Sequence, residues 1–269
     1  MRLMMGALEM DLIEVVNFEK MHALGNDFML LDCRAEPYLP PAAQIAEWAN
    51  RRSGIGFDQL IIIGQKGDDL TYRFFNADGG EPEQCGNGQR AIALYLHRQQ
   101  VDVTHLRLTG LGGEVHLTYK DDDHISVTFD QAVQVREQAI AGVDGYFVDI
   151  GNPHWVYHEP DLTKKDLEPF SHIVANQFPK GVNVEAVKKI DDHHIQLRVV
   201  ERGVGETQAC GSGACAAAIA SATLLATTTP LTVSMLGGDV KVSYDLDSDK
   251  ITLTGPARAT YRGQVVVAD

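Results

Sequence analysis

Hydrophobic and polar positions alternate over short stretches through most of the chain. Residues 70–75, 114–119 and 125–129 in the first half, and 195–200, 239–244 and 250–254 in the second, are rich in β-branched or alternating residues. Gly, Asp or Ser turn signals separate most of them, and the pattern predicts strands. Two stretches depart from the alternation and read as helices, 89–98 and 214 to about 227. The second is apolar nearly all round, so it belongs in an interior rather than on a surface. Shorter helices are expected near 42–50 and 166–174.

The pattern also repeats. Leu111-Gly112-Gly113-Glu114-Val115 recurs 125 positions later as Leu236-Gly237-Gly238-Asp239-Val240, and Cys85-Gly86-Asn87-Gly88 recurs at the same offset as Cys210-Gly211-Ser212-Gly213. Gly25-Asn26 returns as Gly151-Asn152, and Ile125-Ser126-Val127-Thr128 as Ile251-Thr252-Leu253-Thr254, both at 126. Four matches at a nearly constant offset imply a duplication. The units cover about 18–130 and 145–255, with a polar joint at 131–145. With the remaining segments assigned, the domains are 16–130 plus 257–269, carrying Cys85, and 131–256, carrying Cys210; residues 1–15 form an extension outside the fold. The expected class is α/β (α+β). It has two pseudo-symmetric units, each a curved mixed β-sheet wrapped around a buried central helix, with the active site in the cleft between them.

Composition narrows the chemistry. At 269 residues and 44% hydrophobic, the chain can bury a sizeable core without staples. Its net charge of −14 provides no positive field for phosphate, which argues against nucleic acid and membrane-surface partners. Four cysteines, Cys33, Cys85, Cys210 and Cys215, are too few for a disulfide scaffold and fit a reducing, cytoplasmic setting. The N-terminal stretch carries Glu9, Asp11 and Glu14 and lacks the pattern of a signal peptide. The longest nearly apolar run, 216–226, is far short of the roughly 20 residues that span a bilayer.

The repeated Cys-Gly-polar-Gly is the main chemical signal. The glycines are expected to let the backbone turn tightly into a helix whose unpaired N–H groups attract an anion and acidify a thiol. Two such termini facing one cleft would grip one carboxylate between two cysteines. Two thiols in opposite protonation states supply the base and the acid needed to invert a stereocentre bearing a weakly acidic C–H. A lone cysteine beside glycines is ordinarily a small buried hydrophobe; Cys33 and Cys215, which are not duplicated, are read that way. The five-residue step from Cys210 to Cys215 does not match zinc-ligand spacing, so no metal is expected. A redox pair would place its cysteines close in sequence rather than 125 apart. Gly86-Asn87-Gly88 lacks the rest of a dinucleotide fingerprint.

Four blocks resemble the diaminopimelate epimerase family: Lys20-Met21-His22-Ala23-Leu24-Gly25-Asn26-Asp27-Phe28, the run from Phe75 to Gly79 with Gln84-Cys85-Gly86-Asn87-Gly88, Gly151-Asn152-Pro153-His154, and the long block from Glu201 to Gly213. The resemblance covers nearly the whole chain from Phe18 onward. It implies a cofactor-independent isomerase that interconverts LL- and meso-2,6-diaminopimelate in lysine and peptidoglycan-precursor biosynthesis. Proline or other amino-acid racemase activity of the same fold is the alternative. Carried over by motif, Cys85 and Cys210 are the acid and base, and His154 and Glu201 assist orientation and ionisation. Gly86, Asn87, Gly211 and Ser212 bind the reacting carboxylate, and Asn26, Gln59, Asn76, Asn152, Asn183, Glu201 and Arg202 hold the substrate's polar groups. The resemblance also implies a homodimer with Tyr261 near its interface. The chain departs from the family pattern at Ala23, at Trp155 and at Gln89-Arg90-Ala91-Ile92, none of them a proposed catalytic position.

Overall fold

The alternating segments form strands that enclose the two longer helices. In the computed structural model, which describes residues 15–130, 133–163, 166–245, 248 and 250–267, the chain opens with β1 (Val15–Ala23), β2 (Asn26–Asp32), α1 (Ala42–Ala49), β3 (Gln59–Lys66) and β4 (Asp69–Asn76). It continues through α2 (Gly86–Arg98), β5 (Leu106–Gly110), β6 (Gly113–Asp121), β7 (His124–Asp130) and β8 (Gln134–Glu137). The second half runs β9 (Gly145–Asp149), β10 (Pro153–His158), α3 (Glu168–Ala175), β11 (Asn183–Asp191), β12 (His194–Glu201) and β13 (Gly205–Glu206). It ends with α4 (Gly211–Leu224), β14 (Leu231–Met235), β15 (Gly238–Asp245), β16 (Lys250–Gly255) and β17 (Arg258–Val266). The N-terminal extension, apart from Val15, lies outside the described residues. No described helix is long and apolar enough to cross a membrane.

The duplication reappears as pairing order. From β1 to β7 the steps run antiparallel, parallel, antiparallel, parallel, antiparallel, antiparallel. From β9 to β16, passing over the two-residue β13, they run in the same order. The halves are sewn together where β7 pairs antiparallel with β16, and hydroxyl pairs Ser126–Thr254 and Thr128–Thr252 (2.8 and 2.9 Å) cross that seam. The closing strands are exchanged. β8, which follows the first half, pairs with β9 of the second, and β17, which follows the second half, pairs with β1 of the first.

The α2 and α4 helices sit inside the sheets, and half of the buried residues of α4 are alanine, Ala214 and Ala216 to Ala218 with Ala220, which lets strands approach from several sides. Strand β3 is apolar without alternation because both of its faces are covered. Ile61 and Ile63 face the central core, while Leu60 and Ile62 pack with Ile45 and Trp48 of α1. The other short helix, α3, covers the second half through Trp155, Tyr157 and Val174. The sequence pattern places α4 through 227, but it stops at Leu224: Ala226 takes a left-handed φ of 47° and the Thr227 N–H returns to the Ser221 carbonyl.

Candidate active site

Each cysteine of the repeated motif stands immediately ahead of a buried helix with extended backbone and acts as its N-cap. Cys85 Sγ accepts from the Gly88 N–H (3.3 Å) and Cys210 Sγ from the Gly213 N–H (3.4 Å). The helices therefore begin at Gly86 and Gly211, three residues earlier than the pattern of hydrophobic positions indicates. This corrects the expected role of the glycines. Gly86, Gly88, Gly211 and Gly213 are first-turn residues without positive φ, so what they supply is space rather than turning freedom. A Cβ on Gly88 would lie 2.5 Å from the Phe74 ring, and Cβ atoms on Gly86 and Gly211 would lie 2.9 and 3.1 Å from one Leu253 methyl.

The two helix starts meet. A Cβ on Gly86 would reach within 4.0 Å of the Gly211 Cα. Asn87, the buried second residue of α2, donates across the seam to the Ala209 carbonyl (3.3 Å) and to Asn26 Oδ1 (3.2 Å). Arg90, fully buried on the next turn, donates to Asn87 Oδ1 (2.8 Å) and to the Pro256 carbonyl (3.2 Å), fixing the junction from beneath. Motif reasoning gave Arg90 no site role. Its signal was a guanidinium in a stretch whose neighbours Ala91, Ile92 and Ala93 are all core. The Leu-Gly-Gly repeat has a matching task, since Gly112 N–H bonds the Glu83 carbonyl (3.0 Å) and Gly237 N–H the Gln208 carbonyl (2.8 Å), bracing the segment before each cysteine.

Electrostatics overturn the expected acidification of the thiols. Burial pushes the Cys85 thiol up to about 11; the nearby Glu201 carboxylate adds to this, while the Gly88 N–H and Arg90 oppose it. Cys210 is held well above the ordinary thiol range, by burial first and then by Glu201 and Glu185, against the Ser212 hydroxyl and the Gly213 N–H. Desolvation of the thiolate outweighs the helix terminus at both positions. Both thiols therefore feel the same carboxylate, Glu201, which accepts from Thr207 Oγ1 at 2.5 Å.

Most of the remaining candidates lie where strands begin or end; Asn26 and Asn152 reach the two helix starts, while Gln59 with Asn76 and Asn183 with Arg202 form pairs of their own. Asn26 opens β2, and its Oδ1 accepts from the Cys85 thiol at 3.8 Å. Its repeat partner Asn152 precedes β10 and donates to Ser212 Oγ (3.2 Å), which lies 3.5 Å from Cys210 Sγ. Gln59 opens β3 and donates to Asn76 Oδ1 at the end of β4 (2.9 Å), and Gln59 Oε1 is buried without a partner. Asn183 opens β11, and its Oδ1 receives the Arg202 N–H (2.9 Å). The Arg202 stem lies over Gly181 and its Nη1 donates to the Lys180 carbonyl (2.9 Å). His154, on β10, is fully buried, with Nδ1 2.6 Å from Glu185 Oε1 and Nε2 unpartnered. Trp155 faces the opposite side of β10, stacks on Tyr157 and donates Nε1–H to the Gln138 carbonyl (3.0 Å), so it packs the outer cluster of the second half. Cys33 and Cys215 are buried apolar residues of the two cores. Among the described residues no group of His, Cys, Asp or Glu could hold a metal ion.

Comparison with known proteins bears on the family and the fold. Residues 18–135 and 146–260 match the family described as diaminopimelate epimerase. A diaminopimelate epimerase of Pseudomonas fluorescens (strain Pf0-1) is 38% identical, covering 93% of this chain and 99% of that protein, and one of Pseudomonas aeruginosa (strain LESB58) is 35% identical over the same shares. Among solved structures, a PhzF-family phenazine biosynthesis protein of Bacillus anthracis superposes with a TM-score of 0.75 at 16% identity, covering 95% of this chain and 100% of that one. A hydroxyproline epimerase of Agrobacterium vitis gives 0.67 at 11% identity, covering 95% and 93%. At those identities the structural likeness speaks for the fold alone.

Proposed function

The chain belongs to the diaminopimelate epimerase family, a family of isomerases, and on that premise we propose that it interconverts LL- and meso-2,6-diaminopimelate without a cofactor, using Cys85 and Cys210 as paired acid and base. One thiolate removes the α-proton from one face while the opposite thiol delivers a proton to the other, and the roles exchange with direction. Backbone N–H groups at the starts of α2 and α4, from Gly86, Asn87, Gly211 and Ser212, are suited to the reacting carboxylate and to the charge that builds on it as the C–H bond breaks. A raised thiol pKa makes the conjugate thiolate a stronger base toward a weakly acidic C–H but a scarcer one near neutral pH. His154 and Glu201 assist orientation and ionisation. Asn26, Gln59, Asn76, Asn152, Asn183 and Arg202 hold the ammonium groups and the distal carboxylate. The same reading places the protein in the cytoplasm, in lysine and peptidoglycan-precursor synthesis, as a homodimer. Tyr261 on β17 is 46% exposed and packs edge-on against Phe18 (5.9 Å), a position suited to an interface.

The observation that carries the proposal is the convergence of two cysteine-capped helix starts, with one Leu253 methyl beneath both Gly86 and Gly211. The test is incubation of the purified, reduced protein with LL-diaminopimelate in the absence of pyridoxal phosphate, followed by chiral analysis. The meso isomer should accumulate. Cys85→Ala and Cys210→Ala should each abolish this, whereas Cys33→Ala and Cys215→Ala should retain turnover and lose only stability. Equal activity loss at all four positions would contradict the assignment.

A further inference from the structure

The Glu185 carboxylate has no role in the reaction as derived above. It lies on β11 between Val184 and Ala186, an acid in an apolar run, and its side chain is fully buried, as is that of His154, with which it pairs. A carboxylate taken out of water needs strong compensation: His154 Nδ1 lies 2.6 Å from Oε1, while Oε2 is buried without a partner and burial keeps the Glu185 carboxyl above its ordinary range against the pull of the histidine. The fold itself does not ask for the pair. In β10 and β11 His154 stands opposite Asn183, and in β2 and β3 the corresponding register places Phe28 opposite Gln59. By the same count the counterpart of Glu185 is Ile61, and Phe28 and Ile61 are both fully buried apolar residues. The duplicated architecture thus packs hydrocarbon at these two positions in one half and a hydrogen-bonded acid–histidine couple in the other.

The couple borders the candidate site. Glu185 Oε1 would lie 3.0 Å from a Cβ on Gly213, the residue whose N–H is capped by Cys210, and the charged or titratable groups that Glu185 faces are His154 from β10, Cys210 ahead of α4 and Glu201 at the end of β12. A histidine's free nitrogen is defined by the bond its other nitrogen makes. With Nδ1 donating to Glu185, Nε2 is left as a buried, unpartnered acceptor. We propose that Glu185 is a positioning residue that holds the proton of His154 on Nδ1 and so presents Nε2 as the proton acceptor of this half of the site. The proposal rests on the two-cysteine reading for its consequence in turnover but not for its geometry.

The experiment separates the two. The full-length protein, labelled with 15N-histidine, is examined by NMR at about pH 8, with the His154 ring signals assigned by their loss in His154→Phe. Nδ1 should be protonated and Nε2 bare; a bare Nδ1 or a protonated Nε2 overturns the proposal, whatever the enzyme does. Glu185→Gln, whose amide can also donate to Nδ1, should erode that preference, and Glu185→Asp should restore part of it. In turnover of LL-diaminopimelate, Glu185→Gln should lower kcat about 10- to 100-fold with little change in KM, as loss of a residue that orients a reacting group does, and unchanged kcat overturns the proposal. If the unsubstituted protein fails to epimerise, the functional reading falls while the ring spectrum still judges Glu185. If a variant fails to fold, the spectrum of the unsubstituted protein decides alone.

Discussion

Arg202 is the one cation among the candidate substrate ligands, and its guanidinium is already partly fixed. Its stem lies over Gly181 and its Nη1 is tied to the Lys180 carbonyl, while its backbone N–H is tied to Asn183. A planar guanidinium held in this way is prepared for bidentate contact with a carboxylate. A substrate with an amino-acid group at each end needs one carboxylate recognised without reaction, and we assign Arg202, with Asn76 and Asn183, to that end. Losing a charge-assisted contact of this kind costs roughly 2–4 kcal/mol. Arg202→Ala should therefore reduce kcat/KM for diaminopimelate by about 30- to 1000-fold. Slow turnover of a monocarboxylic amino acid should be nearly untouched, and steady-state kinetics with both substrates on both proteins is the check. Equal loss on both substrates would place Arg202 at the reacting end or in the fold. At this scale the sequence singles out candidate groups but not their protonation. The helix terminus argues for acidic thiols, and the burial that reverses this depends on strands brought in from elsewhere in the chain. Glu185 was silent for a similar reason, since only the parallel register of β10 and β11 brings it to His154.

The unit of design among the elements is a strand end, a capping cysteine and a helix whose first turn has no side chains to spare. Because the glycines of that turn serve close approach, replacing one should cost packing rather than backbone strain. Gly88→Ala places a Cβ 2.5 Å from the Phe74 ring, which is itself fully buried between β3, β4 and α2 and has little room to move. Overpacking of this kind costs about 1–3 kcal/mol. Urea unfolding should show that loss as a lower midpoint with an unchanged slope, together with reduced activity as Cys85 shifts. Unchanged stability would mean that the ring yields and that the glycine has another purpose. The repeated motif was legible because it is short and duplicated, and strands such as β12 and β16 because their alternation is strict, whereas β3, β10 and β11 carry continuous buried runs. The purpose of the glycines was not, because a turn and a tight contact leave the same letter in the sequence. The end of α4 was missed by three residues for want of any signal but the conformation of Ala226.

For the molecule as a whole, duplication does two things: it builds two matching half-sites, and it locks them face to face. The β7–β16 seam and the exchanged strands β8 and β17 tie each half to the other at both ends, so the halves bring one thiol each to a common junction. The duplication itself is plain in the 125-residue offset, but the exchange is not, since β8 is only four residues long and carries no pattern of its own. The central claim is that one stereocentre is worked from two faces by two separate proton carriers. Solvent-isotope incorporation tests it most directly. The reaction is started in D2O from protiated LL-diaminopimelate and stopped early, and deuterium at the α-carbon is measured separately in recovered substrate and in product. Two thiols acting on opposite faces predict that nearly every product molecule carries solvent deuterium while recovered substrate carries almost none. Early, extensive labelling of the recovered substrate would mean that one group removes and returns the proton on the same face, and would contradict the account.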